Sequence, residues 1–251
     1  MAPALAPAAL LGLLIGSFLN VVAWRLPRGE SLVKPRSKCP GCGTQLKAYD
    51  NVPVFSWLVL RGRCRGCGER ISARYPVVEA VTGVLYAAVV AAEYDDALKC
   101  ALGIALVTFM VPIAVIDLDL KRIPNALTGP AALVAIALGA LLDPGYLPEQ
   151  LIAGAAALTF FLLPALIHNK GMGMGDVKLA GVLGLYLGRA VAPALFFALI
   201  LGVVVGVAVI ASQGVTQGRR VKIPFGPFMA AGAVLAFFVG SGLVESYTDS
   251  F

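Results

Sequence analysis

Long apolar runs, broken by short polar joints, recur from one end of this chain to the other. A helix needs about 20 predominantly apolar residues to cross a bilayer, and the pattern predicts spans over residues 5–26, 76–93, 98–117, 125–142, 149–168, 177–188, 190–212 and 225–244. The third to fifth are the clearest. The joint between the sixth and seventh is the weakest, because "LGLYLGRAVAPA" offers only Gly188, Arg189 and Pro193 as a break. One long kinked helix there, giving seven spans, is the alternative. The pattern describes an all-α polytopic membrane protein of about eight transmembrane helices. It divides into a first helix (1–26), a polar loop domain (27–75) and a membrane core (76–251).

Composition strengthens this reading. Of 251 residues, 59% are hydrophobic and 14% charged, with a mean hydropathy of +0.86. A soluble domain of this length would carry far more polar surface. The formal charge of +6 is mainly an orientation signal. With eight spans, Arg25 to Arg74, Lys121, Arg122, Lys170, Lys178, Arg219, Arg220 and Lys222 fall on one side. The other side receives only Lys99 and Arg189, beside Glu93, Asp95, Asp96, Asp143, Glu149, Glu245 and Asp249. The basic side is therefore expected in the cytoplasm and both termini outside, with anionic membrane lipid as the partner of the basic loops. The basic residues are dispersed among separate loops, so no nucleic-acid partner is expected. The first span has no charged residue before its apolar core, and Arg25 and Arg28 follow it. That favours a retained helix over a cleaved signal peptide.

The polar loop contains "CPGCG" and "CRGCG". Cys39 and Cys42 form one C-x2-C pair, and Cys64 and Cys67 form the other. In each, the following glycine (Gly43, Gly68) lets the backbone fold back and aim both sulfurs at one point. Four thiolates so presented suit a closed tetrahedral Zn²⁺ site, which leaves no position open for water and so folds the loop without doing chemistry. Disulfides would need an oxidising compartment, and the flanks lack the strand-to-helix turn of a thioredoxin-like pair. Cys100, alone in an apolar span, reads as a small buried hydrophobe.

Carboxylates are costly near hydrocarbon, so aspartates at the ends of spans need a reason. Asp117 closes "VPIAVID" and Asp176 follows "GMGMG", at the same expected depth on the basic side. Two carboxyls within a few ångströms share a proton. One can then draw a proton from a water that attacks a peptide carbonyl, while the other donates to the oxyanion and the leaving amine. Gly173 and Gly175 would let such a site approach a substrate backbone closely. Asp119 is the rival to Asp117. Two positions apart on a helix point to different faces, so at most one faces Asp176. Asp117 is nearer the apolar run, and Asp119 reads as a surface carboxylate near Lys121 and Arg122. The single histidine, His168, reads as an interfacial polar residue, and no G-x-S-x-G or H-E-x-x-H motif is present. On the residues alone, catalysis and transport both stay open, since transporters also carry Gly-rich breaks and intramembrane carboxylates.

The ordered motifs "GSFLNVVAWRLPRGES", the double-cysteine loop from Ser37 to Glu79, "IDLDLKRIPN", "GMGMGDVKLAG" and "KIPFGPFMAAGA" resemble those of the bacterial type IV prepilin peptidases. These are membrane aspartic proteases of the G-x-G-D class, usually also N-methyltransferases. The family's catalytic aspartates map onto Asp117 and Asp176. Two departures are "DLK" after the first aspartate and Asn125, where many members carry a carboxylate. The resemblance implies prepilin and pseudopilin substrates, cut at the cytoplasmic face after a short basic leader. It also implies methylation of the new N-terminus by S-adenosylmethionine. No strand-to-helix G-x-G-x-x-G unit exists to hold that cofactor, so its site is not legible. Asn20, Glu79 and Lys178, at expected cytoplasmic ends of spans, are candidates to line it, and would look the same as plain helix-end residues reaching the interface. The oligomeric state is not legible either.

Overall fold

The computed structural model describes residues 2–167, 173–214 and 221–248, and His168 with the leading Gly171–Met172 lies outside them. The chain forms two compact units, divided between Tyr94 and Asp95.

The first unit is built on α1 (Ala2–Arg25) and α3 (Arg74–Ala92). They pack through "GLLIG" of α1: a Cβ on Gly12 would stand 2.8 Å from Gly83 Cα, and one on Gly16 2.8 Å from Glu79 Cα. Small residues four apart let two apolar helices bring their backbones together, which substitutes for the hydrophobic driving force absent in lipid. Asn20 adds a polar tie, its Nδ2 donating to the Gly16 (3.3 Å) and Tyr75 (3.1 Å) carbonyls. Between the helices runs the polar loop, with a short α2 (Phe55–Val59). Extended pairing among the described residues is limited to two isolated bridges, Lys38 with Gln45 and Arg63 with Arg70.

The second unit holds α4 (Ala97–Leu120), α5 (Asn125–Leu142), α6 (Leu147–Ile167), α7 (Met174–Leu187), α8 (Val191–Gln213) and α9 (Gly226–Thr248). Asp96 caps α4 by accepting from the Lys99 N–H at 2.9 Å, a cap worth about 1 kcal/mol. The helix stops where Lys121 turns left-handed (φ 53°, ψ 45°) and donates its N–H to the Asp117 carbonyl at 2.8 Å. Pro124, in extended conformation, then starts α5.

Close backbone approach recurs here. A Cβ on Gly184 of α7 would lie 2.6 Å from Gly154 Cα of α6. One buried amide, Gln150 Nε2, donates to Leu185 O (2.8 Å) and Ala135 O (3.4 Å), joining α6 to α7 and α5. Tyr186 Oη donates to Ala131 O at 2.9 Å.

Seven stretches among the described residues are long and apolar enough to cross a membrane, with Met174–Gln213 counted as a single stretch of 40 residues. In the structure that stretch is two helices running in opposite directions. The start of α8 (Ala190) meets Gly240 late in α9, whereas Gly202 further along α8 meets Phe225 just before α9 begins. So α8 is antiparallel to α9. The first turn of α7 lies beside Ile123 and Asn125, while Gly188 at its end lies beside Tyr146 and Glu149. The start of α9 meets Asp117, near that same α4–α5 turn. Hence α7 runs away from this end of the bundle and α8 returns toward it. Gly188 makes the reversal with φ 53° and ψ −132°, backbone space that only glycine enters freely. Glu149 pins the turn, accepting from the Arg189 backbone N–H and from its guanidinium, both at 3.1 Å. Burial pushes the Tyr146 phenol up to about 12, with the Glu149 charge adding to it.

Helix ends differ from the expected spans at the functional positions. α7 begins at Met174, so Asp176 lies in its first turn, and α4 continues three residues past Asp117. The glycines of "GMGMGD" do not delay the helix, because an acidic side chain near a helix N-terminus is favourable.

Candidate functional site

Each C-x2-C segment folds as the same small knuckle. In the first, Gly43 (φ 69°) donates to Cys39 O at 2.9 Å, and Cys39 N donates to Thr44 O at 2.9 Å. In the second, Gly68 (φ 74°) donates to Cys64 O at 2.9 Å, and Cys64 N donates to Glu69 O at 2.8 Å. The four Sγ atoms lie within 4.8 Å of one another. Cys39 and Cys67 are 3.8 Å apart, and Cys42 and Cys64 are 4.0 Å apart. Four sulfurs at about 2.3 Å from a tetrahedral zinc would be about 3.8 Å from one another, so the donor set fits that ion. These spacings are far from the roughly 2 Å of a disulfide. The Thr44 hydroxyl, 3.2 Å from Cys42 Sγ, and the Thr44 backbone N–H lower the Cys42 thiol to about 6. The N–H groups of Cys67 and Gly66 lower Cys64. These two shifts favour thiolates, while burial and the three neighbouring sulfurs push Cys67 the other way, up to about 12. Asp50 pairs with Arg65 at 2.8 Å, tying the intervening segment to the second knuckle. Cys100 stands apart, half-buried in α4.

Helix packing brings Asp117 and Asp176 within electrostatic reach of one another. The first turn of α7 sits on the α4–α5 turn, where a Cβ on Gly175 would stand 3.0 Å from Ile123 Cβ. Lys178 Nζ donates to Asn125 Oδ1 at 3.0 Å. This seat brings the half-buried Asp176 within electrostatic reach of Asp117. Asp117 itself is 4% exposed. A Cβ on Gly173 would lie 3.1 Å from Asp176 Oδ2, so this glycine leaves the carboxyl uncrowded. Asp119 is exposed, away from the buried face that holds Asp117. The buried Asp117 and the half-buried Asp176 form an acidic pair, with the start of α9 against the first.

One contact was not read from the sequence. The Gly226 N–H, at the start of α9, donates to Asp117 Oδ2 at 2.8 Å. Its signal was the glycine in "KIPFGPF", but a glycine reveals neither its partner nor a bond made across 109 residues.

In the first unit, the candidates Asn20 and Glu79 belong to one buried cluster beneath the loop. Glu79 Oε2 accepts from the Val54 N–H at 2.7 Å, and Ser17 hydrogen-bonds the same carboxyl. Val54 sits at φ 60°, ψ −52°, strained for a β-branched residue, so Glu79 holds the loop in an otherwise disfavoured turn. Lys178 lies in the second unit beside the aspartates and is engaged by Asn125.

Fold and site thus define a polytopic helical membrane protein with one buried and one half-buried aspartate within electrostatic reach and a four-cysteine cluster. Residues 10–93 match the bacterial peptidase A24 N-terminal domain, and residues 104–209 match the type IV leader peptidase family. The chain belongs to the type IV leader peptidase family. It is 40% identical over 210 residues to the prepilin leader peptidase/N-methyltransferase of Myxococcus xanthus, covering 81% of this chain and 62% of that protein. The equivalently named protein of Bacillus subtilis is 34% identical, with 94% of each chain covered. That of Neisseria gonorrhoeae is 35% identical, with 92% of this chain and 88% of the relative covered. No solved structure matches.

Proposed function

We propose that this protein is a membrane aspartic endopeptidase that removes the short basic leader of type IV prepilins and prepilin-like proteins, and N-methylates the new N-terminus with S-adenosylmethionine. The observation that supports the reading is that Asp117 and Asp176 lie within electrostatic reach of one another in a chain whose relatives are named prepilin leader peptidase/N-methyltransferase. One carboxylate takes a proton from a water, which attacks the scissile carbonyl. The other, protonated, donates to the developing oxyanion. As the resulting gem-diol collapses, the first carboxyl passes the water's proton to the departing amine, and the second takes its own proton back from the gem-diol hydroxyl. The N–C bond breaks with the water's oxygen on the new carboxyl, and no covalent intermediate forms. Shared protonation suits a pair that cannot both ionise readily.

The substrate's apolar helix would remain in the bilayer, leaving its leader junction level with the aspartates. On this reading the site lies at the cytoplasmic face of the bacterial inner membrane, and the excess of Lys and Arg on that side of the chain supports it. Cys39, Cys42, Cys64 and Cys67 would hold a structural Zn²⁺. With all four positions taken by sulfur, the ion would supply folding energy to the loop and no activated water. The cluster of Ser17, Asn20 and Glu79 lies in the unit that bears this loop. It is the candidate lining of the methyl-transfer site.

The test is mass spectrometry of the N-terminus of a prepilin co-expressed with this protein. Loss of the leader with an added methyl group on the new terminus is expected. A prepilin that keeps its leader beside correctly inserted protein would overturn the peptidase reading. A trimmed but unmethylated terminus would overturn the second activity alone.

A further inference from the structure

The carboxyl of Asp117 is held from outside its own helix. Its Oδ2 accepts the Gly226 N–H at 2.8 Å in a buried bond. The first N–H groups of a helix have no partner within it, so the start of α9 has a donor to spare at that point. A Cβ on residue 226 would stand 2.7 Å from the same oxygen and 3.2 Å from Asp117 Cβ. Both are carboxyl or main-stem atoms of a buried residue, with little freedom to give way. The donor is itself anchored. Phe225, the preceding residue, stacks on Phe161 of α6 at 6.5 Å between centroids and meets Phe228 edge-on at 6.3 Å. Gly202 of α8 lies against the same ring. Residues from α6, α8 and α9 therefore fix where the amide stands.

We propose that Gly226 is a positioning residue for the peptidase reaction. Its amide clamps Oδ2 of Asp117, so that Oδ1 is the oxygen left to address the water, and its missing side chain lets the carboxyl fit under the start of α9. This rests on the reading of Asp117 and Asp176 as the catalytic pair. Gly226 lies beyond the stretch matched to the leader peptidase family, which ends at residue 209.

The experiment measures kcat and KM for leader removal from a prepilin by the full-length Gly226→Ala protein in lipid nanodiscs, beside wild type, Asp117→Asn and Gly206→Ala. Displacing a reacting group by about 1 Å costs on the order of 100-fold in rate. The expected result for Gly226→Ala is a kcat lower by about 10- to 100-fold. KM should stay within about twofold, the folded fraction at the assay temperature should match wild type, and the pH–rate profile of kcat should be displaced. Gly206→Ala, where a new Cβ on α8 meets nothing within 4 Å, should behave as wild type. A well-folded Gly226→Ala with wild-type kcat and pH profile overturns the proposal. So does a kcat that falls only in proportion to the folded fraction. Normal cleavage by Asp117→Asn would instead sink the reading of the pair itself, which separates the two failures. Should Gly226→Ala not accumulate, Phe225→Leu unsettles the same amide without adding an atom beside the carboxyl. Its kcat should fall several-fold at constant KM, and an unchanged kcat overturns the proposal.

Discussion

The four cysteines and the two aspartates are gathered in opposite ways. Each cysteine pair is set by a knuckle of a few residues, closed by its own backbone hydrogen bonds and a left-handed glycine. The two knuckles need only meet. The aspartates are 59 positions apart and owe nothing to local turns. They depend on the α4–α5 turn, on the first turn of α7 and on the start of α9, each seated by contacts elsewhere in the bundle. A ligand can assemble the first kind of centre. Only a finished helix bundle can assemble the second.

That contrast can be tested from its strongest consequence downward. If the four cysteines hold the proposed Zn²⁺, a chelator, or changing Cys39 to Ser, should unfold the loop outright, because such sites lack structure without their ion. Limited proteolysis within residues 27–75, with helical circular dichroism largely retained, would show it. Loop protection that persists without metal would erase the distinction. Next, Asp117→Asn and Asp176→Asn should each slow leader removal by about 1,000-fold or more, measured by mass spectrometry of the product, with metal content unchanged. Gly184→Val forces a side chain against Gly154 of α6 and should destabilise the second unit by about 1–3 kcal/mol. It should also reduce cleavage by displacing α7, which thermal unfolding and a cleavage assay would report together. The smallest effect belongs to Glu149→Gln. This partly exposed pair with Arg189 should be worth about 1 kcal/mol or less, read as a slight fall in thermal midpoint at unchanged kcat.

The contrast also explains what the sequence made readable. The cysteine knuckles were legible because spacing and a following glycine dictate their geometry locally. The spans were legible from apolar length. The meeting of Asp117 and Asp176 was not, since equal depth does not make two helices neighbours. Their register is set by dispersed small residues such as Gly154, Gly175 and Gly184, none of which names its partner. The "GLLIG" pairing of α1 with α3 stood in the sequence as a small-residue repeat, yet only the structure shows Gly83 and Glu79 opposite it. "LGLYLGRAVAPA" suits a kink as well as a reversal. The Gly188 backbone and the grip of Glu149 on Arg189 decide for the reversal.

α7 is short. Its 14 residues extend about 21 Å, against a hydrocarbon thickness of about 30 Å, so it falls short of one boundary. The polar grouping of Tyr146, Glu149 and Arg189 at its far end needs headgroups or solvent. The shortfall therefore lies at the Asp176 end, where α6, judged by the pairing of Gly154 with Gly184, rises roughly one turn higher. The helix turn that carries Asp176 is thus recessed below the end of its neighbour α6. On the proposed reading, a protein chain already threaded through lipid would present its bond at that recess without being lifted out.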